Sequence, residues 1–432
     1  MLEIVPCQSV DAKVRLPGSK YIANRLIPMC ALASTPSILS NIVDNNDIQA
    51  AIAGLSGLGY QLTLNDGQLN IQPRKQALQD SVVLNTSHSG TFSRFVSAVA
   101  ALESVDVRIE CSEKMATRPM QELFTTLREL GVNIQTDNQM LPAVIKGPVT
   151  NKSCHIDASR SSQFLSALLI IGPLLDQGID IQLLGSQVSS SYVDMTIDWM
   201  KKMSIDVEVN GTSFSINSAQ SYQGIEVTVP GDAVSASYFM GLVGIAGGKI
   251  RINSFDHQSL QGESKFYQVL ELMGMTFEKG DDYIVAVSKE QLKGIEIDMS
   301  EMPDVVQTLA VMASFAKGKT LIKNIAHLAY KESNRINDTA AELLKAGVDV
   351  EFGEDYLLIN GGTPHAAEIE TYDDHRMAMS MALLGTKTKG IVIHDPDVVN
   401  KSFPTYWSLM SQCGLASQAV SKNNSSESAE VL

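Results

Sequence analysis

Positively charged residues recur in short clusters along this acidic chain. The clusters lie at 20–25, 94, 116–119, 330–335, 374–376 and 400–404. Because the formal net charge of the whole chain is −15, each cluster is richer in positive charge than the chain as a whole. Any one of them alone is typical of a solvated helix start or turn. Together they predict a cationic cleft that binds an anionic ligand through charge-assisted hydrogen bonds.

Three of the clusters, at 20–25, 94 and 374–376, lie at or near junctions where a turn precedes an apolar run, and the other three lie between junctions. Pro17-Gly18-Ser19 is followed by the Ala/Leu/Met-rich stretch 20–33, which is the pattern of a helix start. Equivalent positions recur every 71 residues, at Ser19, Gly90, Ser161, Asp232, Pro303 and Asp374. Six copies at one period predict a repeat architecture. Since helix N-termini carry unpaired N–H groups, several that face one cleft favour an anion.

Each predicted helix is followed by a short apolar run that is typical of a half-buried strand. These runs lie at 37–42, 107–110, 179–183, 249–252, 320–323 and 391–393. Helix and strand therefore recur together about once per repeat. This alternation predicts an α/β fold.

Two Pro-Gly pairs mark the places where the chain is expected to cross between groups of three repeats. They are Pro17-Gly18 and Pro230-Gly231. The length of 432 residues also exceeds what one ordinary core holds. We therefore expect one domain over 18–230 and a second over 1–17 plus 231–416. From Ser417 onward the sequence is polar and aperiodic, so 417–432 is predicted to be a disordered tail.

Composition excludes several classes of protein. A net charge of −15 argues against a nucleic-acid surface, which needs cations to neutralise phosphates. The five cysteines are scattered, with no CxxC pair, and no HExxH motif is present, so we expect reduced thiols and no metal site. The longest apolar run, 164–175, is too short to span a bilayer. These features predict a cytoplasmic protein with no membrane or nucleic-acid partner.

A set of motifs in collinear order resembles the 5-enolpyruvylshikimate-3-phosphate synthase family over nearly the whole chain, apart from the tail. The motifs are Leu16-Pro17-Gly18-Ser19-Lys20, Arg118-Pro119, Ser161-Ser162-Gln163-Phe164, Gly231-Asp232, Pro303-Asp304, Lys331-Glu332 with Arg335, Asp374-His375-Arg376-Met377-Ala378-Met379 and Lys401-Ser402-Phe403-Pro404. Each motif is weak alone, and the set is specific.

The resemblance implies a fold and a reaction. The fold is a two-domain inside-out α/β barrel of six βαβαββ repeats, three per domain. The reaction transfers the enolpyruvyl group of phosphoenolpyruvate to the 5-hydroxyl of shikimate 3-phosphate and releases phosphate, without metal or cofactor. The two domains are expected to close over these two small molecules and exclude water. A monomer is expected, and glyphosate is expected to compete with phosphoenolpyruvate beside Gly90.

The resemblance also assigns residues to each substrate. Phosphoenolpyruvate is expected to contact Lys20, Gly90, Arg118, Gln163, Arg335, Arg376 and Lys401. The acceptor is expected to contact Tyr21, Arg25, Ser161, Ser162, Gln163, Ser189, Tyr192, Asp304, His327 and Lys331. For Ser161 and Ser162, helix N-capping is the alternative role. The donor set fits its ligand, because planar guanidinium groups bind carboxylates and phosphates bidentately.

Two carboxylates and a lysine are the candidate catalytic groups. Glu332, flanked by Lys331 and Arg335, is expected to protonate the methylene carbon of the donor. Asp304 is expected to accept the proton of the attacking hydroxyl, and Lys20 to share in acid–base work or stabilise charge. Their alternative roles are a helix N-cap for Asp304 and an internal salt bridge for Glu332. His375 is expected to be a structural member of its turn.

Some positions depart from the family pattern and keep other functions open. Tyr21 replaces a small serine, His327 replaces an asparagine, and His88-Ser89 alters the stretch before Gly90. These changes add bulk on the acceptor side, which leaves a related enolpyruvyl transferase with another acceptor as an alternative. The transferase that acts on UDP-N-acetylglucosamine carries a reactive cysteine where this chain has Glu113. A non-catalytic phosphate-binding repeat protein is the third alternative, although carboxylates in an anion pocket would weaken binding.

Overall fold

The computed structural model describes residues 1–185 and 189–420. Six four-stranded sheets make up its β structure, and all six share one strand order. In each sheet a first strand pairs in parallel with a second, and two more strands extend the sheet antiparallel. In sheet order the strands of the first three units are Glu226–Thr228, Ser37–Ser40, Gln68–Gln72, Gln61–Asn65; Val82–Asn85, Val107–Glu110, Ala143–Lys146, Asn133–Gln135; and Ser153–Asp157, Ile179–Leu184, Ser213–Ile216, Glu208–Asn210.

The other three units repeat this arrangement in the second part of the chain. Their strands are Val10–Arg15, Gly248–Asn253, Tyr283–Ser288, Thr276–Lys279; Glu296–Asp298, Lys319–Lys323, Tyr356–Asn360, Asp349–Phe352; and Ala367–Ile369, Ile391–Ile393, Leu2–Ile4, Ser417–Ala419. The two N-terminal strands thus complete sheets of the last three units. The βαβαββ repeats predicted from the sequence are present.

One buried helix lies at the centre of each unit and begins at a predicted junction. These helices are Lys20–Ala31, Gly90–Ala100, Gln163–Ile171, Ala233–Ala246, Val306–Ala313 and His375–Met381. Side chains cap four of them: Ser19, Ser89, Asp232 and Asp374 accept a hydrogen bond from a backbone N–H of the first turn. Such caps place each helix N-terminus at a defined residue. A 3₁₀ turn, Pro303–Val305, precedes the fifth helix.

A second set of helices is amphipathic and packs between the central helices and solvent. They are Asn46–Gly57, Glu113–Ala116, Gln121–Glu129, Ser190–Lys202, Phe266–Leu272, Arg335–Lys345 and Tyr406–Gln412. Further 3₁₀ turns lie at Gly172–Leu174, Gly262–Lys265, Ala326–Tyr330, Ala382–Thr386 and Pro396–Lys401. Among the helices of the described residues, none is both long and apolar enough to cross a membrane.

Two separate hydrophobic cores divide the molecule. One contains residues between 22 and 229, and the other contains residues 4–16 together with residues between 233 and 415. We call residues 18–230 the first lobe and residues 1–17 with 231–420 the second lobe. Gly18 and Gly231 form a bridge where the chain crosses twice. A Cβ at Gly18 would lie 1.8 Å from the carbonyl oxygen of Asn41, so only glycine fits this close approach.

Polar contacts join the lobes across the rim between them. Lys114 of the first lobe donates to the carbonyl oxygen of Tyr372 at 2.6 Å and pairs with the carboxylate of Asp373 at 3.1 Å. Glu301 of the second lobe accepts from the backbone N–H groups of Ser190 and Ser191 at 3.2 and 3.1 Å. The lobes are therefore in direct contact around the cleft.

The prediction of a disordered tail from Ser417 is wrong for its first residues. Ser417–Ala419 form an edge strand that pairs antiparallel with Leu2–Ile4. Local pattern gave no sign of it, because the pairing partner lies at the opposite end of the chain. Residues 421–432 lie outside the described part of the chain.

Candidate active site

The starts of central helices from both lobes surround one polar cavity of about 70 Å³. Its lining comprises Lys20, Tyr21, Asp47, Gly90, Thr91, Arg94, Arg118, Arg160, Ser161, Gln163, Asp304, Tyr330, Lys331, Glu332, Arg335, His375 and Arg376. Residues up to Gln163 belong to the first lobe and the rest to the second. Predicted donor, acceptor and catalytic residues therefore share a single cavity.

Two arginines and two aspartates form a buried network on the second-lobe side. Arg335 donates from Nε to Asp374 at 2.8 Å and from Nη1 to Asp304 at 2.7 Å. The Nη2 atom of Arg376 lies 3.2 Å from the other carboxylate oxygen of Asp304. Burial alone would raise the pKa of Asp304, but Arg376, Arg335 and Lys331 hold it well below its usual range. Asp304 is thus ionised and neutralises two cations of the predicted donor site.

Glu332 lies within a second chain of contacts that crosses between the lobes. Its Oε2 atom accepts from Nδ1 of His375 at 2.8 Å and lies 3.1 Å from Nζ of Lys401. The Nε2 atom of His375 lies 3.5 Å from Nζ of Lys20. Since a lysine ammonium can only donate, His375 accepts at Nε2 and donates from Nδ1. Lys20 also pairs with Asp47 at 3.5 Å.

The ionisation of this chain follows from its burial and its neighbours. Burial and the nearby charge of Lys20 lower the pKa of His375 to about 4, so its ring is neutral. Burial would raise the pKa of Glu332, but His375 and Lys401 hold it well below its usual range. Without substrate, the predicted acid Glu332 therefore carries no proton.

Arg94 and Arg118 line the first-lobe side of the cavity. Arg94 donates to Oε1 of Gln163 at 2.5 Å, and Gln163 donates in turn to Thr91 at 3.0 Å. Within the described residues, the Nε atoms of both arginines are buried without a hydrogen-bond partner. Burial lowers the pKa of both guanidinium groups, most strongly for Arg94, which also lies beside Arg118. Buried cations with unused donors suit an anionic ligand.

Gly90 provides the space that the Arg118 guanidinium occupies. A Cβ built on Gly90 would lie 2.0 Å from Nη1 of Arg118. Any side chain at this position would therefore displace the guanidinium. The lack of a side chain at Gly90 thus lets the Arg118 guanidinium reach the cavity.

Tyr21 and Tyr192 form the aromatic side of the site. The hydroxyl of Tyr21 donates to Oδ2 of Asp304 at 2.5 Å and also contacts Nη2 of Arg376. The ring centroids of Tyr21 and Tyr192 are 5.3 Å apart. Arg25 lies behind them, with its guanidinium 5.5 Å from the Tyr192 ring and a 2.7 Å hydrogen bond to Thr196. Tyr21 therefore points into the cavity and fills space there.

The remaining predicted acceptor residues are distributed unevenly. Ser161 and Lys331 line the cavity, and burial lowers the pKa of Lys331 to about 8. Ser162 is buried, and Ser189 has a left-handed backbone and donates to the carbonyl of Ser300 at 3.4 Å. His327 is buried, and burial together with Lys331 lowers its pKa to about 3. Six of the predicted site residues do not line the cavity: Arg25, Ser162, Ser189, Tyr192, His327 and Lys401.

Comparison with known proteins decides the family. The model of the EPSP synthase family, 3-phosphoshikimate 1-carboxyvinyltransferase, matches residues 4–410. The chain belongs to the EPSP synthase family. This membership confirms the family, fold class and enzyme class predicted from the sequence.

Individual EPSP synthase relatives match over almost their full length. The 3-phosphoshikimate 1-carboxyvinyltransferase of Trichormus variabilis is 38% identical over 410 residues, which cover 92% of this chain and 95% of the relative. That of Vibrio atlanticus is 36% identical over 425 residues, which cover 96% of this chain and 99% of the relative. A solved EPSP synthase from Acinetobacter baumannii superposes with a TM-score of 0.81 at 25% identity. The superposition covers 96% of this chain and 99% of the solved chain. The enolpyruvyl transferase NikO from Streptomyces tendae shares the fold, with a TM-score of 0.76 at 15% identity. That superposition covers 96% of this chain and 98% of the NikO chain.

The cavity also contains residues that the sequence did not assign to a substrate or to catalysis, although Arg94, Tyr330 and His375 belong to the predicted cationic clusters. The unassigned residues are Asp47, Thr91, Arg94, Arg160, Tyr330 and His375. His375 was expected to be structural, yet it connects Lys20 to Glu332. Thr91 and Arg160 immediately adjoin junction residues, so the 71-residue period could have suggested them. Asp47 carried no such signal.

Three of the described residues could together approach a metal ion. Ligand atoms of Glu332, Asp374 and His375 lie within 4.8 Å of one another. Each carboxylate already pairs with a protein cation, Lys401 on Glu332 and Arg335 on Asp374. A metal would have to displace these cations.

Proposed function

We propose that this cavity transfers the enolpyruvyl group of phosphoenolpyruvate to the 5-hydroxyl of shikimate 3-phosphate and releases phosphate. The observation that carries the proposal is the gathering of Lys20, Arg118, Arg335 and Arg376 from two lobes around one cavity in an acidic chain. Lys401 adjoins them through Glu332. A phosphorylated carboxylic acid is the ligand class that such a set favours.

The donor would replace contacts that the protein makes with itself. Arg335 and Arg376 now share the carboxylate of Asp304, and Lys401 pairs with Glu332. We assign the donor carboxylate and phosphate to these cations together with Lys20, Gly90, Arg118 and Gln163. Arg118 has an unpaired buried donor that supports this assignment.

Binding of the donor would prepare Glu332 to act as an acid. Its pKa is held low by His375 and Lys401, and an incoming trianion would neutralise Lys401 and add negative charge nearby. A like charge favours the protonated form of a carboxyl group, so the pKa of Glu332 rises in the complex. Glu332 can then give its proton to the methylene carbon of the donor.

Asp304 would accept the proton of the acceptor hydroxyl. Its ionisation and its hydrogen bond to Tyr21, which is also assigned to the acceptor, support this role. The hydroxyl oxygen then bonds to C2 of phosphoenolpyruvate while the methylene carbon becomes a methyl group. Loss of phosphate breaks the bond from C2 to the phosphate oxygen, and the return of one methyl proton to the Glu332 carboxylate restores the double bond. Lys20 would stabilise the charge that develops on the phosphate.

Space for the acceptor requires rearrangement. The cavity of about 70 Å³ is far below the roughly 300–1,000 Å³ of typical ligand pockets. Separation of the lobes and rotation of Tyr21 would supply this space. We assign Arg25, Ser161, Ser162, Ser189, Tyr192, His327 and Lys331 to the acceptor, with Tyr21 and Asp304.

A phosphate-release assay tests the proposal. Phosphoenolpyruvate and shikimate 3-phosphate are supplied together, and each is supplied alone as a control. Turnover with both supports the proposed reaction. Release only when another acceptor is supplied would indicate a different enolpyruvyl transferase, and silence with every acceptor would indicate a phosphate-binding protein. The intact carboxylates of Asp304 and Glu332 argue against the last outcome, because they would weaken the binding of an anion.

The organisation of the whole molecule is also proposed. The two cores and the strand pairing support one domain over 18–230 and a second over 1–17 plus the residues from 231 to the edge strand Ser417–Ala419. All five cysteines are free, which supports a cytoplasmic setting where thiols stay reduced. We further propose a monomer, as the family resemblance implies. Gel filtration with light scattering checks this state.

A further inference from the structure

Glu263 is a buried carboxylate beside the site that the reaction above does not use. It lies in the 3₁₀ turn Gly262–Lys265 of the second lobe and is 0% exposed. A buried carboxylate is costly unless its oxygens are hydrogen-bonded. Its contacts therefore indicate what it is for.

One oxygen of Glu263 connects the two lobes. Oε1 accepts from the hydroxyl of Tyr192, on the first lobe, at 2.8 Å. The same oxygen accepts from the backbone N–H of Asp304, on the second lobe, at 3.3 Å. Tyr192 and Asp304 are thus held by a single atom.

The two held groups are also connected through Tyr21. The Tyr192 ring lies 5.3 Å from that of Tyr21, whose hydroxyl donates to Asp304. Glu263, Tyr192, Tyr21 and Asp304 therefore close a ring of contacts. Burial and the charge of Asp304 also raise the pKa of Glu263 to about 7.

We propose that Glu263 is a positioning residue, which fixes the Tyr192 ring and the Asp304 carboxylate relative to each other when the lobes are together. This inference rests on the proposed function, since it takes Asp304 as the base. The contact to Tyr192 crosses between the lobes, so it forms only in the closed arrangement. Its loss should therefore lower kcat more than it weakens the first encounter with substrate.

Three variants separate positioning from packing. Glu263→Met keeps similar volume but removes both hydrogen-bond acceptors. Glu263→Gln keeps a carbonyl oxygen at the same reach. Tyr192→Phe removes only the hydroxyl that donates to Glu263 and keeps the ring. We expect Glu263→Met and Tyr192→Phe each to lower kcat about ten-fold or more, as the loss of a hydrogen bond to a charged group predicts.

The kinetic pattern distinguishes the inference from general damage. KM for phosphoenolpyruvate should stay within about two-fold, because Glu263 does not contact the donor cations. Glu263→Gln should recover most of the activity. The double variant Glu263→Met/Tyr192→Phe should be no worse than the poorer single variant, since both remove the same contact. Three results would overturn the inference. They are a double variant whose loss of kcat is the product of the two single losses, a wild-type kcat in Glu263→Met, and a loss of kcat in Glu263→Gln as large as that in Glu263→Met.

Glu342 supplies a matched control. It is also a buried carboxylate that accepts from a tyrosine hydroxyl, that of Tyr372 at 2.7 Å, and from a backbone N–H, that of Glu370 at 3.1 Å. It does not line the cavity. Glu342→Met should lower the melting temperature at least as much as Glu263→Met while keeping kcat. An equal loss of kcat in the control would overturn the inference.

Crystal structures give a reading that does not depend on turnover. In Glu263→Met the Tyr192 hydroxyl should leave its position and the Asp304 turn should shift, while Glu263→Gln should superpose on the wild type. Unmoved Tyr192 and Asp304 in Glu263→Met would overturn the inference. An inactive wild type would overturn the proposed function instead, so the two failures are distinguishable.

Discussion

The hydroxyl of Tyr21 donates a 2.5 Å hydrogen bond to Oδ2 of Asp304, across the boundary between the two lobes. The same hydroxyl contacts Arg376, so one side chain touches both the proposed base and a residue proposed to bind phosphoenolpyruvate. The family pattern has a small serine at this position. Tyr21 therefore places a ring in the cavity where a smaller side chain would leave room for the proposed acceptor.

Replacing Tyr21 with serine should ease acceptor binding. In Tyr21→Ser no ring must be displaced or reordered, a step that costs about 0.5–1.5 kcal/mol for one side chain. We expect KM for shikimate 3-phosphate to fall about three-fold, measured by steady-state kinetics at saturating phosphoenolpyruvate. Tyr21→Phe keeps the ring and should leave this KM within about two-fold of the wild type. If both variants lower KM equally, the hydroxyl rather than the ring limits binding.

Alanine at position 90 should damage the donor site selectively. The new Cβ would lie 2.0 Å from Nη1 of Arg118 and would displace the guanidinium. Loss of one charge-assisted contact predicts an increase in KM for phosphoenolpyruvate of about ten-fold or more, with a parallel rise in the inhibition constant of glyphosate. Inhibition kinetics measure both constants on Gly90→Ala.

Gly362 offers the control for that substitution. A Cβ at Gly362 meets no atom within 4 Å, so Gly362→Ala adds the same methyl group without a clash. It should leave both constants unchanged. An unaltered KM for phosphoenolpyruvate in Gly90→Ala would show that Arg118 does not bind the donor.

The positions of the helix starts were predictable because their chemistry is local. A turn, a small polar cap and an apolar run follow one another within a few residues, and the 71-residue period repeats them. This is why Lys20, Gly90, Ser161 and Arg376 could be placed at one site from sequence alone.

Other features depend on contacts between distant residues and left no local pattern. The protonation of Glu332 is decided by Lys401 and His375, which are remote in sequence. Glu263 has the sequence pattern of an ordinary surface acid, and its burial against Tyr192 follows only from the packing of the lobes. Ser417–Ala419 are polar and become a strand only because Leu2–Ile4 lies beside them.

Neutralising Glu332 should remove most of the turnover without unfolding the protein. Glu332→Gln keeps the size of the side chain but cannot deliver a proton, and a positioned acid typically contributes about 10²- to 10⁴-fold in rate. We expect kcat to fall by that factor, measured by phosphate release. The melting temperature should stay within a few degrees, because the amide can still accept from His375. Full activity in this variant would exclude Glu332 as the acid.

The stability of the wild type should depend on pH through Glu263. Burial and the nearby charge of Asp304 raise its pKa in the folded protein to about 7, above the value near 4.5 expected in the unfolded chain. The folded state therefore binds this proton more tightly, so the contribution is fully present below pH 4.5 and is lost as the pH rises through 7.

Glu263→Gln has no proton to lose at this position. Its melting temperature should therefore rise relative to the wild type as the pH increases from about 4.5 to about 8, while the two proteins converge at the acid end. Calorimetric scans of both proteins across that range measure the difference, with Glu342→Gln as the reference for a buried glutamate outside the cavity. A difference that stays constant with pH would mean that Glu263 is already ionised at the acid end of the range.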